Sequence, residues 1–221
     1  MTLHTHVEQQ LSKFEDLWLE ACHSWPPSGF TTDTNSKLTW TIAASLKEED
    51  WQSLSAVFED IANRWPWHTV YTVPQLHVTI AGLGQPEYWS RREQDLKVIL
   101  EKVVTQYASI AVSIQGINIL RNTVVVQIVD VDDKLRTMVE QLAQLIKDVD
   151  PGSNFRPGIH THVWWTSIAR LYKPISDEIA DFIVSQRKTE FATSSIESIQ
   201  LIETTKGSDL SKTRIIARHQ F

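Results

Sequence analysis

His77 and Thr79 stand two positions apart in the run Leu76-His77-Val78-Thr79-Ile80. In an extended strand such residues point to the same face. The imidazole and the hydroxyl therefore share one face, and Leu76 and Val78 share the other. Imidazole moves a proton near neutral pH and a hydroxyl holds a phosphoryl oxygen, so the pair suits phosphate chemistry. By itself H-x-T is a short motif, and a half-buried strand histidine bonded to its neighbours presents the same three letters.

A second group of candidates lies between Ile159 and Leu171, a stretch rich in aromatic and polar residues that reads as another strand. It holds His160, His162, Trp164, Trp165, Ser167 and Arg170. His160 and His162 would share a strand face, and imidazole suits zinc, but no cysteine is near and no third ligand is identifiable. We expect no metal there. Lys173 and Arg170 would add positive charge near a phosphate, or stand at a solvated strand end. His4 and His6 read as a chance pair near a frayed end, without a function. Trp65-Pro66-Trp67-His68 reads as a helix stop with covering aromatics.

Several elements must position these residues. Leu3 to Trp25 has helical spacing, with Val7, Leu11, Phe14, Leu17, Trp18 and Ala21 on one stripe. Leu38 to Leu46 alternates as a strand, with Leu38, Trp40, Ile42 and Ala44 on one side. Helices are expected over Glu48–Trp65, Tyr88–Tyr107, Asp132–Val149 and Ile175–Val184. Val70 to Leu83 is extended. Ile110 to Val129 holds two strands that turn at Arg121-Asn122. Ile196–Glu203 and Arg214–Arg218 form a closing hairpin around a polar loop. The succession strand, helix, polar strand occurs near Leu38–Leu83 and again near Val124–Leu171. Two similar lobes would set their polar strands opposite each other across a cleft.

The totals bound the function. The chain has 221 residues and 42% hydrophobic composition, enough for one sizeable core or two small lobes. A net charge of −6 argues against binding long duplex nucleic acid, which needs a strongly basic face; a nucleotide or short RNA end needs only a local basic pocket. One cysteine, Cys22, cannot build a disulfide framework, so a reducing, cytoplasmic setting is expected. No secretory signal and no membrane-length apolar run is visible. The 9 Trp are expected to pack in the core or cover its edges.

The run Val73-Pro74-Gln75-Leu76-His77-Val78-Thr79-Ile80-Ala81-Gly82-Leu83-Gly84 resembles the first signature of the 2H phosphoesterase superfamily. That superfamily includes RNA 2′,3′-cyclic phosphodiesterases and 2′-5′ RNA ligase-like proteins. Trp164 to Arg170 is similar to the second signature, H-x-[ST]-x-x-R, and Ile196 to Thr204 with the last strand is similar to the closing hairpin. The resemblance covers the chain from Leu38 to its end. It implies an α+β fold of two pseudo-symmetric lobes of antiparallel sheet, flanked by helices around a central cleft. On that reading residues 31–221 form one bilobal domain and residues 1–30 a helical addition.

The resemblance also implies a mechanism in which one histidine per lobe faces the phosphate. His77, Thr79 and Ser167 then fall on catalytic positions, Arg170 on the signature arginine, and no metal or organic cofactor is required. The second histidine's place holds Trp165, whose indole exchanges no proton with substrate. Three readings follow. The protein binds a nucleotide without efficient turnover, with Trp165 stacked on a base. His160 or His162 supplies the imidazole, His162 needing a β-bulge to come round. Or His77 acts alone on a substrate with a good leaving group. The expected function is hydrolysis or binding of a nucleotide or RNA phosphodiester such as a 2′,3′-cyclic phosphate. The alternatives are a catalytically impaired nucleotide-binding module and a protein-interaction domain whose N-terminal helix packs on a partner.

Overall fold

Alternation builds the first strand. Lys37–Leu46 (β1) sends Trp40, Ile42 and Ala44 into the main core, while Thr39, Thr41 and Ser45 line cavities on the opposite face. The structure, a computed structural model, describes residues 3–23, 37–66, 68–120, 122–151, 156–157, 163–172, 176–206 and 213–221. Its other strands are Thr69–Val70 (β2), Val78–Gly84 (β3), Ala111–Leu120 (β4), Thr123–Asp130 (β5), Arg156–Pro157 (β6), Trp164–Arg170 (β7), Glu190–Lys206 (β8) and Arg214–Gln220 (β9). The helices are Leu3–His23 (α1), Glu48–Trp51 (α2), Ser55–Arg64 (α3), Pro86–Trp89 (α4), Glu93–Val104 (α5), Lys134–Val149 (α6) and Asp177–Gln186 (α7).

The strands pair antiparallel and close on themselves. β1 pairs β3, β3 meets β7 at Val78 and Thr166, β7 pairs β5, β5 pairs β4, and β8 joins β4 back to β1. The 17-residue β8 makes the closure possible, because Glu190–Ser195 lies along β4 and Ile196–Lys206 along β1. One lobe is thus β1, β3, β9 and the second part of β8. The other is β4, β5, β7 and the first part of β8. The two polar strands of the expected pseudo-repeat, β3 and β7, are neighbours where the lobes meet. The fold is the expected α+β arrangement of antiparallel sheet with flanking helices.

Two expected helices are broken. Glu48–Trp65 is α2 and α3 with a 3-10 turn at Gln52–Leu54, and Tyr88–Tyr107 is α4 and α5 around a 3-10 turn at Ser90–Arg92. The cause is local. Ser53 and Ser55 donate to the carbonyls of Asp50 and Gln52 at 2.9 and 2.7 Å, and Ser90 donates to Glu87 at 3.2 Å. Hydroxyls bonding three residues back favour the tighter turn. Beneath the helices, Leu96, Leu100, Leu135, Met138, Leu142 and Ile183 pack with the sheet in one core. Trp40, Trp51, Trp65, Trp89 and Trp164 are buried there, as the tryptophan content suggested. Among the described residues no helix is long and apolar enough to cross a membrane.

Helix α1 forms as expected, but its buried side differs from the apolar stripe. Leu11 is 40% exposed, whereas His6 and Gln10 are buried with Phe14. The helix lies on β4 and β5 of its own chain, where the sheet offers polar partners. Gln10 Nε2 donates to Asp130 O at 2.9 Å and Gln10 Oε1 accepts from Asp130 N at 2.9 Å. Asn118 Nδ2 donates to Phe14 O at 2.9 Å. His6 approaches the Asp133 carboxylate at 3.2 Å and Gln10 at 2.8 Å, so it sits in a built network and not at a frayed end. Asp133 is also held by Arg136 through both carboxylate oxygens, so the His6, Asp130 and Asp133 cluster is a latch for the helix.

Gly116 marks a bulge in β4. It has φ +64°, and a Cβ there would stand 2.4 Å from the carbonyl oxygen of Arg187. A left-handed alanine costs ~1–2 kcal/mol, and forcing the two backbones apart adds about 1–3 kcal/mol. Gly116→Ala is therefore expected to destabilise the fold by about 2–5 kcal/mol in denaturant melts. Gly82→Ala, where a Cβ meets nothing within 4 Å, serves as the control and should cost far less.

Candidate phosphate pocket

The segment before β3 is shaped by its own sequence. Pro74 lies within the 3-10 turn Val73–Gln75, and the Gln75 side chain reaches back to the Thr72 backbone N–H at 2.8 Å. This closes a reciprocal cap and fixes where the Gln75 carbonyl points. That carbonyl lies 3.1 Å from His77 Nδ1. A carbonyl only accepts, so Nδ1 carries the proton and Nε2 keeps its lone pair. Burial holds the His77 imidazole below its ordinary pKa, with the Gln75 hydrogen bond opposing in part. The ring is thus neutral at pH 7, with one basic nitrogen.

A pocket of about 180 Å³ opens at this ring. Its walls include His77, Thr79, Ser167 and Arg170, four residues singled out from the sequence. They arrive from the two halves of the chain. The Thr166 hydroxyl donates to His77 O at 3.1 Å, which ties β7 to the start of β3 and sets Ser167 beside the first motif. Arg170 is oriented from two sides: Nε donates to Tyr71 Oη at 3.2 Å and Nη1 to Asn122 Oδ1 at 3.4 Å. Hydroxyls and a fixed guanidinium around a basic imidazole suit an anion with several oxygens.

The remaining walls were not singled out from the sequence. They are Thr39 and Thr41 of β1, Thr204 and Thr205 of β8, Tyr71 and Gln75. The alternation of β1 did put Thr39 and Thr41 on the non-core side. Only the pairing of Thr39 with Thr204 across the two strands, hydroxyl to hydroxyl at 3.2 Å, shows that this side faces the pocket.

Trp165 is not part of this lining. It shares a sheet face with Ser167, opposite Gln127 and Val125 of β5. Its indole packs with Val7 and Leu17 against Phe14, Val129 and Val163, under α1. His162 and His160 lie outside the described residues, as does Lys173. Among the described residues His77 is the imidazole that lines the pocket.

No protein-family model and no curated protein matches the sequence. The fold does match solved structures. TT0787 of Thermus thermophilus shares 15% identity, with 82% of this chain and 97% of that one covered and a TM-score of 0.58. Escherichia coli LigT complexed with 3′-AMP shares 13%, covering 84% and 98%, with a TM-score of 0.56. LigT complexed with phosphate shares 12%, covering 85% and 99%, with a TM-score of 0.54. These likenesses show that the fold is 2H phosphoesterase-like, as the two signatures implied.

Proposed function

We propose, from the 2H phosphoesterase-like fold and the pocket at His77, that the protein binds and hydrolyses a nucleotide phosphodiester, such as a 2′,3′-cyclic phosphate, through a single imidazole. The observation that carries this reading is the His77 ring, with Nδ1 bonded to a carbonyl and Nε2 basic, in a pocket with Thr79, Ser167 and Arg170. The 3′-AMP and phosphate complexes of the similarly folded LigT support a nucleotide ligand.

In the proposed reaction His77 Nε2 takes a proton from water as the water oxygen bonds to phosphorus. The Thr79 and Ser167 hydroxyls and the Arg170 guanidinium hold the non-bridging oxygens, where negative charge concentrates. The bond from phosphorus to one ribose oxygen breaks, and that oxygen takes a proton. Attack and departure are in line, on opposite sides of phosphorus, so one imidazole does not serve both. With no second imidazole among the described residues of the pocket, the leaving oxygen draws its proton from solvent. Losing one general acid costs a factor of about 10²–10⁴. Slow turnover of cyclic nucleotides is expected, together with a preference for diesters whose leaving group needs no acid, such as p-nitrophenolate. The test is hydrolysis of both substrate types by purified protein. Absence of turnover on both, with nucleotide still bound, would leave the pocket as a binding module.

The protonation state predicts a pH profile. The base works only when neutral, and its pKa lies below 6.5. Plots of kcat/KM against pH, which report the free enzyme's base, should show an acid limb centred below 6.5. An acid limb centred above 6.5 would remove His77 from the base's role.

A further inference from the structure

The small pocket is not the whole of the open surface at His77. A groove of about 530 Å³ lies beyond the 73–77 segment and shares both Gln75 and His77 with the pocket. Both cavities lie on one sheet face. On β1, Thr39 and Thr41 enter the pocket and Ser45 the groove, while Trp40, Ile42 and Ala44 face the core. In the other lobe the face that carries Ser167 is roofed by α1, which packs on Val129 and Trp165. A group attached to a phosphate at His77 thus has an open path over the first lobe and a covered one over the second.

Size separates the roles of the two cavities. Ligand sites for small organic molecules run from roughly 300 to 1,000 Å³. The pocket, at about 180 Å³, falls short of that and matches a phosphate; the groove lies within it. The groove's chemistry is mixed. Pro74, Leu46 and Ile215 give it an apolar wall, and Ile215 is 48% exposed. Arg218 lies there with its guanidinium against the Gln200 side-chain amide; with that amide turned to suit its partners, its Oε1 accepts from Nε at 3.1 Å and Nη2 at 2.9 Å. Glu48 and Glu197 stand at the rim. One cation beside two carboxylates does not favour a further phosphate. An apolar wall with donors and acceptors at its edge suits a flat heterocycle and a sugar.

We propose that the groove is the nucleoside subsite. The base lies against Ile215 and Pro74, and base amines and ribose hydroxyls meet Glu197, Gln200 and Arg218. The inference rests on the phosphoesterase reading of the His77 pocket and adds to it the direction in which the substrate extends.

Titration calorimetry with 2′,3′-cyclic AMP and with inorganic phosphate tests it. The variants are Ile215→Glu and Arg218→Ala, both on β9, which is largely exposed and pairs β8 alone. Each should weaken cyclic AMP by about tenfold, the scale of one lost base contact, and leave phosphate within about twofold. Two further substitutions at one position keep the result readable if a variant fails to fold: Ile215→Trp, which fills the groove, should also weaken the nucleotide, and Ile215→Val should not. Unchanged nucleotide affinity in both primary variants, or equal weakening of phosphate, would overturn the subsite. If the wild type binds phosphate in a way that Arg170→Ala weakens, and cyclic AMP no more tightly, the subsite fails and the phosphate pocket stands. If it binds neither probe, both readings fail.

Discussion

Replacing His77 by alanine is expected to lower kcat/KM for a nucleoside 2′,3′-cyclic phosphate by a factor of about 10²–10⁴, the worth of a general base. The loss should fall on kcat. The proposed phosphate ligands Thr79, Ser167 and Arg170 remain in place, so the affinity for inorganic phosphate should change little. Among the described residues the half-buried ring makes one hydrogen bond, to Gln75 O at 3.1 Å, and belongs to no apolar cluster. A thermal melt close to wild type is therefore expected, and it separates chemistry from folding. Thr79→Val and Ser167→Ala should act differently, raising KM together with a smaller fall in kcat, because each removes one hydrogen bond to the phosphoryl oxygens. Turnover that survives His77→Ala would remove the proposed base. A parallel fall in kcat for all three variants, with melting temperature lowered, would point to lost structure instead.

The second large effect concerns α1. Phe14→Ala is expected to cost about 3–5 kcal/mol of docking energy, because Phe14 is 1% exposed and is the centre of the small cluster between the helix and the sheet. This cluster is separate from the main core, so the cost should appear as local opening and not as global unfolding. Amides of Leu3–His23 should exchange far faster in the variant, while those of β4 and β5 stay protected. Gln10→Ala should act in the same direction, since it strips both partners from the Asp130 backbone. Undocking would also uncover Trp165 and the face that carries Ser167. If the helix amides in Phe14→Ala remained as slow as the core, α1 would be part of the main cooperative unit.

Much of the site was legible because it is built from residues close in sequence. His77 and Thr79 both line the pocket even though His77 stands one residue ahead of β3, after a 3-10 turn that extended alternation did not foresee. Ser167 and Arg170 reach the same pocket from β7. The threonines of β1 and β8 were not legible as site residues, since hydroxyls on a polar strand face look alike whether they meet solvent or a cleft. The first part of β8 was also missed. Glu190-Phe191-Ala192-Thr193-Ser194-Ser195 has little strand pattern of its own, and it is extended because β4 offers it a partner.

Sequence alone determined which chemistry is within reach: an imidazole and a hydroxyl two residues apart, and a hydroxyl and a guanidinium three residues apart. It also determined that an indole stands two residues before Ser167, where the second signature calls for a histidine. The tertiary structure decided what each group faces. Closure of the sheet through β8 brought β3 beside β7, and a single carbonyl chose the tautomer of His77. The docking of α1 turned Trp165 into a packing residue away from the pocket. Such outcomes depend on contacts between distant segments, 120 residues apart for Gln10 and Asp130 and 165 for Thr39 and Thr204. Local periodicity carries no record of those contacts, because it reports which side of an element is buried and not what buries it.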